Sequence, residues 1–272
     1  MLTAQSVVAA RIAQLIAPLR DDPASAAVLC DVDGTLAPIV GDPDDAAVPE
    51  QTRETLRELA GLYALVACVS GRRAVEARRL VGVDELAYAG NHGLELLLPG
   101  EDEPRLDPSL RDRESAAADF LASVDADGLS TVGLRPEDKG PIQALHWRGV
   151  DDERGAEARA REIAIEAGRE GLETRWGRKV LELRPAGGGG KEAAVGAMLA
   201  EDGIKTAIYG GDDRTDVDAF GRLHEMRDKG RLETAVCVGV LSPEAPSELA
   251  EQADLTVDGP AGWLTVLRAL AG

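Results

Sequence analysis

Asp31-Val32-Asp33-Gly34-Thr35-Leu36 follows directly on the apolar run AAVLC. Two carboxylates at such a strand end share a confined space. Phosphoryl transfer to a carboxylate needs one ionised group to attack phosphorus. It needs a second to protonate the leaving oxygen and later activate water. Asp31 suits the nucleophile and Asp33 the general acid/base. Gly34 permits a sharp turn that aims backbone amides at a phosphate, so Asp31, Val32, Asp33 and Gly34 form a candidate phosphate cradle. An Asp-Gly pair alone is also a common solvated turn.

A second cluster, Tyr209-Gly210-Gly211-Asp212-Asp213-Arg214-Thr215-Asp216-Val217-Asp218, also follows an apolar run. An acidic helix start explains one or two of these acids, but not four in seven residues. If the helix begins here, Asp212 and Asp216 share a face. Magnesium takes oxygen ligands and usually only one or two protein carboxylates. Asp31, the backbone carbonyl of Asp33 and Asp212 would supply three positions. Asp213 and Asp216 would ligate through water or orient Lys191. An anionic nucleophile approaches an anionic phosphate only when charge is neutralised, and Mg2+ is the expected cofactor.

Ser70-Gly71-Arg72 follows the run LVACV, and its hydroxyl and amides suit an anion at a helix start. Lys191 follows a glycine run, and its ammonium would hold a phosphoryl oxygen and offset Asp31. GGGGK resembles a nucleotide-binding loop, but that motif needs Ser or Thr after the Lys. This chain has Glu192.

The elements that must position these residues read as alternating strand and helix. Short apolar runs (AAVLC, LVACV, LAYAG, TAIYG, AVCVG, DLTV) suit strands buried on both faces of a parallel sheet. Between them lie helical patterns such as VPEQTRETLRELAGL, with Leu56 and Leu59 inward. This predicts an α/β doubly wound sheet, whose ligands bind beyond the carboxyl ends of the strands. The middle departs from that rhythm. It reads as helix (108–123), strand (STVGLR), strand (PIQALHWR), helix (151–168), strand (ETRWG) and strand (KVLELRP). That is an antiparallel sheet with two helices. Residues 1–102 and 187–272 are the expected core, and 103–186 an inserted α+β cap. AGGGG at 186–190 reads as an exit hinge.

The 272 residues carry a formal net charge of -19. Such a surface repels nucleic acid and anionic membrane. A small anionic substrate would need a local cation to approach it. Cys30, Cys68 and Cys237 lie in apolar runs and read as small buried hydrophobes of a reducing compartment. Residues 1–20 carry apolar positions at helical spacing (Val7, Val8, Ile12, Leu15, Ile16, Leu19), interrupted by Arg11 and without a cleavage signal. No apolar run reaches a membrane span. The expectation is a cytoplasmic monomer that binds neither nucleic acid nor membrane.

Asp31, Ser70, Lys191 and Asp212 each follow or neighbour a buried strand, in that order. In this the sequence resembles the haloacid dehalogenase (HAD) superfamily of phosphotransferases. DVDGTL matches its first motif, Ser70 its second, Lys191 its third and GGDDRTD its fourth. The resemblance implies a HAD-like Rossmannoid core, with an inserted cap that sets the substrate. DVDGTLAPI, SGR, GNHGLE, EDKGPIQALHWRG, RKVLELRP and GGDDRTDVDAF are together similar to the trehalose-6-phosphate phosphatase family, from about residue 26 to the C-terminus. Carried over by motif, Glu137, Lys139, His146, Arg148 and Glu182 of the cap would hold sugar hydroxyls. Asn91 and His92 would reach the substrate from a core strand end. Two departures stand out: Val217 replaces an acid of the fourth motif, and Pro141 and Trp147 occupy positions more often small or Tyr. The implied reaction is hydrolysis of trehalose 6-phosphate through an aspartyl-phosphate intermediate. Alternatives are a phosphatase for a sucrose, mannosyl or glucosyl-glycerate phosphate, a phosphosugar mutase, or a non-catalytic phosphosugar-binding module. A substrate panel separates the first alternatives. The paired carboxylates Asp31 and Asp33 speak against the last.

Overall fold

A computed structural model describes residues 4–40, 45–177, 179–200 and 203–272. The side chains of residues 4–7, Val7 among them, lie outside the described set. The chain forms two compact units, Met1–Arg105 with Gly189–Gly272, and Leu106–Gly188.

In the first unit the apolar runs become the strands β1 (Ala26–Asp31), β2 (Leu65–Val69), β3 (Ala87–Gly90), β4 (Glu95–Leu97) and β5 (Arg105–Leu106), within which the chain leaves the unit. After the second unit, with β6 (Arg135–Asp138), β7 (Gln143–His146), β8 (Leu172–Gly177) and β9 (Val180–Pro185), come β10 (Thr206–Gly211), β11 (Thr234–Leu241) and β12 (Leu255–Asp258). The large sheet runs β12-β11-β10-β1-β2-β3-β4-β5. From β12 to β3 all pairings are parallel, and β4 returns antiparallel to β3.

The helices are α1 (Ala4–Asp21), α2 (Glu50–Ala60), α3 (Ala74–Val81), α4 (Ala116–Ser123), α5 (Ala126–Thr131), α6 (Glu153–Arg169), α7 (Lys191–Met198), α8 (Arg214–Asp228), α9 (Ser247–Gln252) and α10 (Gly259–Ala271). β1 shows why its sequence is continuously apolar. Ala26, Val28 and Cys30 pack with Ile16, Leu56, Ala77 and Trp263, from α1, α2, α3 and α10. Ala27 and Leu29 pack on the opposite face with Val195, Phe220 and Leu249, from α7, α8 and α9. This is the doubly wound α/β architecture expected from the sequence. Leu56 and Leu59 of α2 are both fully buried, as their spacing predicts. All three cysteines are buried and free.

The second unit is a separate antiparallel sheet, β6-β7-β9-β8. Leu145, Leu181 and Leu183 point to one face and pack with Ala117 of α4 and Ala156, Ala160 and Ile163 of α6. Two local expectations fail here. The helix expected over 108–123 is a single 3-10 turn at Pro108–Leu110 followed by α4, with Asp112 between them at φ +65°. The strand expected over STVGLR is the end of α5, then a turn at Gly133 (φ +77°), with β6 beginning at Arg135. Turn chemistry outweighs the β-branched pair Thr131-Val132.

Candidate active site

Because β10, β1, β2 and β3 are adjacent and parallel, their carboxyl ends share one edge. The register pairs Asp31 with Val69 and Cys30 with Gly210. Asp31 closing β1, Asp212 after β10, Ser70 after β2 and Asn91 after β3 therefore meet there.

Lys191 opens α7, where its charge opposes the helix macrodipole. It is 3% exposed and earns that burial through its partners. Its Nζ donates to Asp31 Oδ1 at 2.6 Å and Asp216 Oδ1 at 2.7 Å, with Asp213 Oδ1 at 3.8 Å. Burial alone would pull the ammonium's pKa down, but the Asp216, Asp31 and Asp213 charges raise it well above the usual lysine range. Asp31, Asp212 and Asp216 bring their oxygens within 4.8 Å of one another. Burial raises all three carboxyl pKa values. Neighbouring carboxylates add to the rise, and Asp212 is pushed up to about 7. Three buried acids thus cluster with a single ammonium, which pairs with two of them, and Asp31 Oδ2 is buried with no hydrogen-bond partner. The all-oxygen donor set and the surplus negative charge fit a hard divalent cation.

Asp212 does not lie on α8. It precedes Asp213, the N-cap, so the shared helical face expected for Asp212 and Asp216 does not form. The two converge by another route. Asp216 Oδ2 accepts the amides of Asp212 at 2.9 Å and Asp213 at 3.0 Å. Asp213 Oδ1 accepts from Thr215 N at 2.7 Å, completing a capping box with Asp216. Burial would raise the Asp213 pKa, but Lys191 and the Thr215 hydrogen bonds lower it to about 2. Val217 faces inward and is 4% exposed among Phe220 and Leu223, so the departure from the fourth motif falls on a core position.

The 32–37 loop is tight, with Gly34 N donating to Ala37 O at 2.7 Å and Leu36 N to Val32 O at 2.9 Å. Gly34 sits at φ +91°, and a Cβ there would lie 2.1 Å from Asp212 Oδ2. Only glycine lets that carboxylate close on the loop. Asp33 is half-exposed and receives both Arg72 nitrogens, Nε and Nη2, at 2.8 Å each. Arg72, expected on phosphate, is in this arrangement a bidentate clamp on Asp33. Ser70 is buried, and its Oγ accepts the Arg72 amide at 3.1 Å across Gly71. Asn91 is fully buried, donating to Glu95 Oε1 at 2.9 Å, while Glu95 Oε2 accepts Ala74 N at 2.8 Å. It belongs to the frame of the edge. His92 packs its ring over Gly71, where a Cβ would lie 2.8 Å away.

Two residues to which the sequence assigns no role also belong here. The hydroxyl of Tyr209 donates to Asp216 Oδ1 at 2.7 Å, and that of Thr35 lies 3.4 Å from Asp212 Oδ1. Both sit inside the acidic motifs, which was the available signal.

Within the cap, Glu137, Ala144, Glu182 and Arg175 lie abreast on β6, β7, β9 and β8. They share the face opposite Leu145, Leu181 and Leu183. Lys139 Nζ donates to Glu182 Oε1 at 2.9 Å, and His146 Nε2 lies 2.7 Å from Glu137 Oε2. Four of the five cap candidates therefore form one polar strip. Arg148 follows β7 with an exposed side chain, and its carbonyl accepts from Arg135 at 2.9 Å. Arg175 joins the strip from β8, with a buried Nη1; its lone position in ETRWG gave no sequence signal.

Residues 29–258 match the family model for trehalose-phosphatase. The chain belongs to that family. Among its trehalose-phosphatase relatives, "Probable trehalose-phosphate phosphatase H" of Arabidopsis thaliana is 33% identical over 234 residues, covering 80% of this chain and 64% of its own length. "Trehalose 6-phosphate phosphatase RA3" of Zea mays is 32% identical over 259 residues, 89% of this chain and 68% of its own. The chain spans 64% and 59% of the lengths of two of the plant relatives. The fold matches the C. albicans trehalose-6-phosphate phosphatase C-terminal domain at TM-score 0.72 and 22% identity, over 95% of this chain and 96% of that one. A haloacid dehalogenase-like hydrolase from Bacteroides thetaiotaomicron aligns at TM-score 0.59 and 16% identity, over 89% and 98%. The chain thus has the HAD-type core with a cap.

Proposed function

We propose that this chain hydrolyses trehalose 6-phosphate to trehalose and inorganic phosphate. The observation that carries the reading is Lys191 held between Asp31 and Asp216, with Asp212 beside them, in a member of the trehalose-phosphatase family. Asp31 attacks phosphorus through a carboxylate oxygen, and the bond to the sugar oxygen breaks. With the Arg72 clamp open and a proton taken up from solvent, Asp33 gives that proton to the leaving oxygen. It then takes a proton from a water molecule, which attacks the aspartyl phosphate and returns Asp31 as carboxylate. Lys191 offsets the charge on Asp31 and holds a phosphoryl oxygen. The Ser70 hydroxyl and the amides of residues 32–34 and 71 bind the others. Asp216 and Tyr209 fix the Lys191 ammonium.

Asp31, Asp212 and the Asp33 carbonyl would hold Mg2+, with Asp213 nearby and Asp216 positioning Lys191. The ion supplies charge neutralisation between nucleophile and phosphate. Arg72 restrains Asp33 and reaches phosphate only when that clamp opens. We assign sugar hydroxyls to Glu137, Lys139, His146, Arg148 and Glu182, which offer paired donors and acceptors.

The test is phosphate release, with and without Mg2+, from a panel of trehalose, sucrose, mannosyl-glycerate and glucosyl-glycerate phosphates and simple hexose phosphates, with Asp31→Asn as control. A clear preference for trehalose 6-phosphate is expected. Equal rates across the panel would remove the substrate assignment, and undiminished release by Asp31→Asn would remove the mechanism.

A further inference from the structure

On the same unit, three side chains of different chemistry converge where the candidate active site contributes nothing. His224 comes from α8, Cys237 from β11 and Asp254 from the residue preceding β12. One potential ligand atom from each lies within 4.8 Å of the other two. His224 Nε2 is 3.9 Å from Asp254 Oδ2. Asp254 Oδ2 also accepts the Cys237 amide at 2.8 Å, which fixes the carboxylate against β11. The Cys237 thiol is buried, and its contact to Phe220 O is long, at 4.0 Å. The His224 and Asp254 side chains are 26% and 30% exposed, so solvent reaches the site from one side.

An ordinary structural reading covers part of this. Asp254 would cap the start of β12 and form a loose pair with His224. It also counts Cys237 as a small core residue packed with Phe220 and Leu249, but it makes no use of the convergence of its thiol with an imidazole and a carboxylate. A thiolate, an imidazole and a carboxylate are together the donor set of a borderline-soft divalent ion, with water as a fourth ligand. Zinc bonds of about 2.0–2.3 Å need ligand atoms somewhat closer together than here. The two partly exposed side chains have room to make that adjustment.

We propose that His224, Cys237 and Asp254 form a second cation site, selective for a thiophilic divalent ion such as Zn2+ and separate from the all-oxygen cluster at Asp31, Asp212 and Asp216. On binding, the Cys237 S–H bond breaks, sulfur bonds to the metal and the proton leaves to solvent. His224 binds as neutral imidazole through Nε2, and no group changes oxidation state. The ion would tie α8, β11 and the start of β12 together, and so stabilise the folded chain by mass action.

The experiment titrates the reduced, chelator-stripped full chain with Co2+ in excess Mg2+, which keeps the oxygen cluster filled. A thiolate-to-cobalt charge-transfer band saturating at one equivalent is expected, and Zn2+ should bleach it. Cys237→Ser should abolish the band. His224→Gln and Asp254→Asn, both at partly exposed positions, should weaken cobalt binding by about tenfold or more. Zn2+ should raise the thermal midpoint of the parent chain and of Asp31→Asn, but not of His224→Gln. Absence of the band at stoichiometric Co2+ would overturn the proposal. So would a band that persists in Cys237→Ser, since the thiolate would then belong to Cys30 or Cys68, or one that is unchanged in both His224→Gln and Asp254→Asn, since neither side chain would then be a ligand.

Discussion

Asp31 is placed to be a nucleophile and is also the acid that folding should least tolerate. It is 4% exposed, one of its oxygens meets Lys191, and its other oxygen is buried without a partner. Asp31→Asn removes one of three clustered charges while keeping the shape. Phosphate release should fall to background, while the metal-free thermal midpoint stays level or rises. A lower midpoint would mean that the Lys191 pair, not the surplus of acids, dominates the energetics. Asp212 yields a prediction about pH. Its folded pKa of about 7 stands above the ordinary 3.8. Between these values the folded state holds a proton that the unfolded chain has released, so metal-free stability falls as pH rises and levels off above about 7. A cation at the cluster displaces that proton. The rise in thermal midpoint caused by Mg2+ should therefore be small near pH 5 and large near pH 8. A shift independent of pH would place the cation elsewhere.

At the scale of elements, the site depends on loops that let strand ends close on one another. Gly34→Ala puts a methyl group 2.1 Å from Asp212 Oδ2 and forces φ +91° on a residue with a Cβ. The chain should fold, with a penalty of about 1–2 kcal/mol, and Mg2+ affinity should fall roughly 10- to 100-fold as Asp212 is displaced. Calorimetric titration with Mg2+ decides it, and unchanged affinity would detach the loop from the metal. This element also shows what sequence can reveal. DVDGTL and GGDDRTD are legible because buried parallel strands are continuously apolar, which leaves polar residues conspicuous at their ends. The Arg72 clamp on Asp33 was not legible, because the two residues are distant in sequence and an arginine after Ser-Gly suits phosphate equally well. Nor was the burial of Asn91, which depends on Glu95 bridging to Ala74. In the cap, the apolar alternation of VLELRP is plain, whereas STVGLR carries strand-like residues across a glycine turn.

At the scale of the whole molecule, the chain has separate apolar cores. The large sheet is packed on both faces by two clusters, and the second unit has its own, built on Leu145, Ile163, Leu181 and Leu183. An inserted unit with its own core can lose stability without unfolding the sheet that carries Asp31 and Asp212. Leu181 is fully buried at the centre of that cluster. Leu181→Ala should cost about 2–5 kcal/mol through lost burial and the cavity left behind. Two-state behaviour need not extend over both units. Hydrogen exchange resolved by peptide should show β7, β8 and β9 losing protection while β1 and β10 keep theirs. Mg2+ should then protect the β1 and β10 ends of Leu181→Ala and of the parent chain alike. Equal loss of protection across both sheets would mean that the units fold as one, and that the cap residues cannot be altered without disturbing the carboxylate cluster.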